Sequence, residues 1–179
     1  ISRPAATKRL VGSGRLPGQV SPGAGGQQPD PGTRPLVNLY LDTAYIAKCY
    51  INEVDSPAVR KLARGAEGLY SSVWCLAEMA CVFHRRVREK GLTSEQARKL
   101  DQLFREDVQS GVWILLPVSQ GLMQRVEAVV QNLPPDVFLR AGDAVHLVSA
   151  REAGFTEIWT GDGRLLAAAP HFHLGGRAV

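Results

Sequence analysis

Four acidic side chains stand next to predicted structural elements, in places where they can meet. Asp42 comes directly after an apolar run at 37–41, and Asp162 follows a predicted strand at 157–160. Glu78 and Asp143 each lie in the first turns of a predicted helix. Each acid also has an ordinary structural explanation, as a helix cap, as a charge that complements a helix dipole, or as a solvated side chain.

If these four carboxylates converge, their charges must be compensated. Two like charges about 4 Å apart repel by roughly 4 kcal/mol at an effective dielectric of 20. Protonation, pairing with Lys or Arg, or binding of a hard divalent cation would each relieve that repulsion. Oxygen ligands without nearby Cys or His favour Mg²⁺ or Mn²⁺ over zinc, and such an ion can activate water against a phosphodiester.

The predicted elements would bring the acids together only in a parallel sheet. Strands are predicted at 37–41, 68–71, 112–118 and 157–160, with a short edge strand at 172–174. Helices are predicted at 43–51, 56–66, 73–90, 93–109, 121–132, 137–153 and 163–169. This alternation without tight hairpins predicts an α/β fold with a parallel sheet covered on both faces. Sites in such sheets form beyond the carboxyl ends of the strands.

Composition divides the chain into two parts. Residues 1–35 are rich in Gly and Pro, carry five basic side chains and one acidic side chain, and are predicted to be a disordered basic tail. Residues 36–179 carry 16 basic and 16 acidic side chains, so the net charge of +4 lies in the tail and says nothing about the partner of the folded part. No apolar stretch is long enough to span a membrane or has the form of a signal peptide, so we expect a cytoplasmic protein.

Four short motifs carry a resemblance to a known family. They are LDT at 41–43, AE at 77–78, GDAVHL at 142–147 and TGDGRL at 160–165. Over residues 39–174 the chain resembles the PIN-domain family, and its length and motif order resemble the VapC-type toxins of toxin-antitoxin pairs. The resemblance implies a three-layer α/β/α domain over 36–179, with a central, mainly parallel sheet of four or five strands. It also implies Mg²⁺- or Mn²⁺-dependent cleavage of RNA, homodimerisation and inhibition by a cognate antitoxin.

The resemblance also assigns roles by position. The metal-coordinating and catalytic acids would be Asp42, Glu78, Asp143 and Asp162. Thr43 and Thr160 fall where such domains often place a supporting hydroxyl. Gly142 departs from the family pattern, in which a larger residue is common, and it could loosen the start of the helix that carries Asp143.

A basic group on the helix at 73–90 is a candidate for binding the substrate. Arg85 comes seven residues after Glu78, hence on the same helical face and about 10 Å along the axis, with Arg86 beside it. An RNA phosphate passing the metal would meet these side chains. A solvated basic face at the end of the helix, where cations complement the dipole, explains them equally well.

Other residues are interpreted as structural. His146, three residues after Asp143, could hydrogen-bond it, but its apolar neighbours indicate a packing residue. The tryptophans at 74, 113 and 159 are predicted to lie in the core rather than to stack on bases. The leading hypothesis is a metal-dependent endoribonuclease, and the alternative is a catalytically silent PIN-like module that binds RNA or protein. A phosphohydrolase with Asp42 as nucleophile is remote, because that class needs a second acid at position 44, which is Ala.

Overall fold

The computed structural model describes residues 37–179, so the predicted tail at 1–35 lies outside the described residues. Within that range the strands are β1 (Asn38–Tyr40), β2 (Gly68–Ser72), β3 (Trp113–Leu116), β4 (Glu157–Trp159) and β5 (Gly175–Arg177). The helices are α1 (Thr43–Tyr50), α2 (Ser56–Arg64), α3 (Cys75–Arg88), α4 (Ser94–Gln109), α5 (Gln120–Val130), α6 (Ala141–Glu152) and α7 (Gly163–Ala168). A 3-10 helix, Ala169–Phe172, precedes β5.

All strand pairs that the structure describes are parallel. β2 lies between β1 and β3, with Leu69 opposite both Leu39 and Trp113. β4 pairs with β5, and a single parallel bridge between Leu41 and Trp159 places β4 beside the end of β1. The spatial order is therefore β3-β2-β1-β4-β5, in sheets of three and two strands. The predicted α/β fold class is confirmed, and its central sheet of four or five strands is divided between these two sheets.

Apolar side chains on the two faces of the strands fill separate core clusters. Tyr40 packs on one face with residues of α5, α6 and α7, among them Leu147 and Leu165. Its neighbours Leu39 and Leu41 pack on the other face with residues of α1, α3 and α4. Successive strand residues point to opposite faces, so this division produces the three layers of helix, sheet and helix.

The inward stripe of α3 differs from the predicted one. The apolar spacing of Leu76, Ala80, Phe83 and Val87, at i, i+4, i+7 and i+11, predicts that these residues face the core, but Leu76 and Ala80 are exposed. The buried residues are Cys75, Met79 and Phe83, at spacings of four. The prediction holds for Phe83 and is wrong for Leu76 and Ala80, because a second apolar stripe about 100° away competes on this helix and hydrophobicity alone does not say which one faces the core. Leu76 and Ala80 therefore lie at the surface of the protein.

Two further element boundaries differ from expectation. The helix predicted at 137–153 begins only at Ala141, because Arg140 is extended and its backbone N–H donates to Asp143 Oδ2 at 3.3 Å. The strand predicted at 172–174 lies at 175–177, while Phe172 is a buried residue of the 3-10 helix. None of the described helices has both the length and the apolar character that a membrane span requires.

Candidate active site

The four acids singled out from the sequence line one pocket at the carboxyl ends of the strands. This pocket has a volume of about 860 Å³, and its walls include Asp42, Glu78, Asp143 and Asp162. They come from the end of β1, from α3, from the start of α6 and from the segment after β4. The parallel sheet therefore brings together carboxylates that are up to 120 positions apart in the chain.

Asp42 is the most deeply buried of these acids, with 5% of its surface exposed. It caps α1: its Oδ1 accepts the backbone N–H of Tyr45 at 2.9 Å, and its Oδ2 accepts the hydroxyl of Thr160 at 2.5 Å. Burial nevertheless raises the pKa of Asp42 to about 6, because loss of water outweighs these two hydrogen bonds. Within residues 37–179, no Lys or Arg forms an ion pair with Asp42.

Glu78 projects from the first turn of α3 and is held by donors from two other elements. The hydroxyl of Thr43, at the start of α1, donates to Glu78 Oε2, and Nε2 of His146 lies 2.9 Å from the same oxygen. Burial alone would raise the pKa of Glu78, but His146, Thr43 and Trp74 act together to hold that pKa below its usual value. Asp42 and Glu78 therefore differ in their electrostatic environment although they share one pocket.

His146 connects Tyr40 of β1 to Glu78 of α3. It is 2% exposed, and its Nδ1 lies 3.0 Å from the hydroxyl of Tyr40, while its Nε2 lies 3.1 Å from the hydroxyl of Thr43. An ionised carboxylate only accepts hydrogen bonds, so Nε2 must carry the hydrogen that faces Glu78. The packing interpretation of His146 missed this contact, and the acid that it meets is Glu78 rather than Asp143.

Asp143 and Asp162 form the more exposed side of the pocket. Partial burial raises the pKa of Asp143, and the charges of Asp162 and Glu78 act in the same direction. Asp162 caps α7 by accepting the backbone N–H of Arg164 at 2.8 Å. Its other oxygen lies 3.8 Å from the guanidinium of Arg140, which is mostly exposed. Arg140 itself lines the pocket beside these two acids.

The oxygen ligands that the four carboxylates offer are of the chemical type that a hard divalent cation prefers. Four carboxylates face one pocket, and burial raises the pKa of two of them, as expected where negative charge lacks compensation. Among residues 37–179, however, no three His, Cys, Asp or Glu side chains are placed so that they could hold one ion as they stand. The side chains would have to draw closer around a bound ion, so the role of these acids as ligands stays a prediction.

The structure separates the two arginines proposed from the sequence. Arg85 lines the pocket together with Arg88, one turn further along α3. Arg86 is half-buried, forms an ion pair with Glu53 and is not among the residues that line the pocket. This geometry leaves Arg85 in a position to meet a substrate and gives Arg86 a structural partner.

Trp74 does not lie in the core, where the sequence predicted it. Trp113 is buried and donates its indole N–H to Tyr50 at 2.7 Å, but Trp74 is 38% exposed and lines the acidic pocket. A Cβ at Gly142 would clash with Glu78 Oε1 and would lie 3.0 Å from the indole nitrogen of Trp74. Gly142 thus gives these two side chains room that a Cβ would fill.

The fold and the pocket together define a class of protein: an α/β domain that carries a group of acids at the carboxyl ends of its parallel strands. The family model for the PIN domain matches residues 39–170, and the chain belongs to this family. Its members are generally nucleases, so the chain has a nuclease-like fold. No curated protein matches the chain.

Proposed function

We propose that the protein is a metal-dependent endoribonuclease whose active site is the pocket lined by Asp42, Glu78, Asp143 and Asp162. One observation carries the proposal: four elements deliver these carboxylates to a single pocket, where Asp42 is buried without an ion pair to Lys or Arg among the described residues. Such an arrangement costs folding stability, and binding of Mg²⁺ or Mn²⁺ would offset that cost.

The surrounding residues have definable tasks in this proposal. A divalent cation held by the acids would supply a nucleophile from water at neutral pH and would stabilise charge on the phosphodiester. Thr160 orients Asp42, while Thr43 and His146 orient Glu78. Arg85 and Arg88, at the other end of the pocket, would position the phosphates of the substrate.

RNA cleavage with and without metal tests this proposal. A fluorescently labelled single-stranded RNA should be cut in the presence of Mn²⁺ or Mg²⁺, and EDTA should abolish the cutting. The Asp143→Asn variant should keep its thermal stability within about 0.5 kcal/mol and lose cleavage, because Asp143 is partly exposed and makes few contacts. Undiminished cleavage by this variant would contradict the proposal.

The particular biological role that we propose is that of a VapC-type toxin. The order of the motifs and the length of the chain support this role. A toxin of this type would be cytoplasmic, would form a homodimer and would be inhibited by a cognate antitoxin. Induced expression should arrest growth, and expression of a small DNA-binding protein encoded immediately upstream should relieve the arrest. Normal growth at a confirmed level of folded, active protein would contradict the toxin role and leave the nuclease proposal in place.

One observation favours a second candidate. The acids of the described residues do not stand at metal-binding positions in the structure, as expected for a PIN-like module that binds RNA or a protein without cutting it. Retained RNA binding without any cleavage when Mn²⁺ is supplied would favour this silent module over the nuclease.

A further inference from the structure

Trp74 lies at the start of a stripe of pocket-facing side chains on α3. The stripe continues through Glu78, Cys81, Arg85 and Arg88, which line the same pocket. These positions follow Trp74 by 4, 7, 11 and 14 residues, the spacing of one helical face. The backbone of Trp74 therefore lies about 6 Å before that of Glu78 along the helix axis, and the backbones of Arg85 and Arg88 lie about 10 Å or more beyond it.

The chemistry of the stripe changes along its length. Arg85 and Arg88 are exposed cations, suited to the phosphates of a nucleic acid. At the other end, an aromatic ring with 38% of its surface exposed borders the carboxylates. Proteins that bind single strands combine basic grooves with exposed aromatic rings, since every base has a face that can stack.

Two features of the structure adapt this place to the indole. Trp74 is one of the side chains that hold the pKa of Glu78 below its usual value, and Gly142 at the start of α6 leaves open the space in which a Cβ would lie 3.0 Å from the indole nitrogen. An indole has only two rotatable side-chain bonds, so it loses little conformational entropy when a flat partner stacks on it.

We propose that Trp74 is a base-stacking subsite beside the acidic pocket, and that the substrate is a single strand with one unpaired base on the indole while Arg85 and Arg88 hold its phosphates. The subsite deepens the proposed nuclease function and rests on it for the identity of the substrate. A base inside a duplex cannot present its face, so the subsite selects single-stranded segments.

Binding experiments in the inactive Asp143→Asn background separate stacking on the ring from the electrostatic effect of the indole N–H on Glu78. The probe is a fluorescein-labelled single-stranded RNA of 12 nucleotides, and its anisotropy gives the dissociation constant without cleavage. Loss of one base stack should weaken binding by about 5- to 100-fold in Trp74→Leu. Trp74→Phe keeps an aromatic face but loses the N–H, and it should bind within about threefold of the Trp74 parent.

A matched control removes a different exposed apolar side chain from the same helix. Leu76 is 41% exposed, two residues after Trp74, and is not among the residues that line the pocket. Leu76→Ala should leave binding unchanged. The hybridised duplex of the same sequence should bind more weakly than the single strand, and its affinity should not change in Trp74→Leu.

The possible outcomes decide the proposal separately from the nuclease function. If Trp74→Phe and Trp74→Leu weaken binding equally, the role of Trp74 is the effect of its N–H on Glu78, and the stacking subsite is wrong. Unchanged binding by Trp74→Leu, or equal affinity for duplex and single strand, would also overturn it. If the protein with all four acids cuts no RNA but the variants show the expected order of affinities, the subsite stands and the nuclease proposal fails.

Discussion

The hydroxyl of Thr160, at the end of β4, donates a hydrogen bond of 2.5 Å to the carboxylate of Asp42, at the end of β1. The two residues are 118 positions apart in the chain and are joined only because β4 lies beside β1. This contact orients Asp42 toward the pocket, but it does not compensate the loss of water around the charge. Asp42 thus has a pKa of about 6 instead of about 3.8.

The raised pKa of Asp42 makes folding stability depend on pH. Between about pH 4 and pH 6 the native state binds more protons than the unfolded state, so stability falls as pH rises through that range and stays lower above it. The shift from 3.8 to about 6 corresponds to about 3 kcal/mol. In EDTA, Asp42→Asn should therefore stabilise the protein at pH 7.5 by up to that amount, and the gain should shrink at pH 4.5.

Urea unfolding at the two pH values measures this difference. Asp136→Asn is the control, since Asp136 is an exposed acid in the loop before α6 and does not line the pocket. A lower stability of Asp42→Asn at pH 7.5 in EDTA would show that the ionised carboxylate stabilises the fold, contrary to our account.

Gly142 should be required for the arrangement of the pocket. In Gly142→Ala the added methyl group meets Glu78 and the indole of Trp74, so both side chains must move. We expect cleavage of RNA to fall by about 10- to 100-fold, as a displacement of about 1 Å near the reacting groups can cause. Gly163→Ala is a matched control, because a Cβ at Gly163 meets no atom within 4 Å at the start of α7. Equal activity of the two variants would contradict the close packing around Gly142.

His146 should contribute to both stability and activity. Its replacement by Leu removes the hydrogen-bond partner that Tyr40 and Glu78 share, and loss of a buried partner costs about 1–3 kcal/mol, although Glu78 keeps the hydroxyl of Thr43. Urea unfolding should show the loss of stability, and RNA cleavage at a temperature where the variant stays folded should fall as Glu78 loses its orientation. His84→Leu, at an exposed position on α3, should change stability by less than about 0.5 kcal/mol. A His146→Leu variant as stable and active as the parent would show that the hydrogen-bond network is dispensable.

The two neighbouring arginines of α3 should behave differently toward RNA. Arg85 lines the pocket, so Arg85→Gln should weaken RNA binding and lower the slope of log affinity against log salt by about 1. Arg86→Gln removes an ion pair with Glu53 instead, so it should leave the salt slope unchanged. Titrations of the Asp143→Asn background with labelled RNA at several salt concentrations provide these slopes. A larger change in slope for Arg86→Gln would place the phosphates elsewhere.

The sequence was most informative about features that depend on neighbouring residues, such as where a helix begins or a strand ends. The helix predicted at 93–109 begins where expected, at a capping box of Thr93 and Gln96 whose two hydrogen bonds both join residues three positions apart. The placement of Asp42 at the end of a buried strand was also predictable from the local pattern of apolar residues. Parallel pairing then brought the four acids to one pocket, as the alternation of strands and helices led us to expect.

Features that depend on tertiary packing were not predictable in the same way. The sequence pattern did not show which of two apolar stripes on α3 faces the core, so the exposure of Trp74 and Leu76 was missed. The contact between His146 and Glu78 joins residues 68 positions apart, and only the spacing of His146 from Asp143 hinted that its ring faces the pocket. The clash that a side chain at position 142 would cause depends on how the start of α6 packs against the start of α3.

Binding of Mn²⁺ tests the central claim most directly, namely that the four carboxylates together form a site for a hard divalent cation. Isothermal titration of the parent protein with MnCl₂ at pH 7.5 should show saturable binding, and Asp42→Asn and Asp143→Asn should each weaken it at least tenfold. Asp136→Asn should bind as the parent does, since Asp136 does not line the pocket. Mn²⁺ binding that is absent from the folded parent, or unchanged in both pocket variants, would contradict the account.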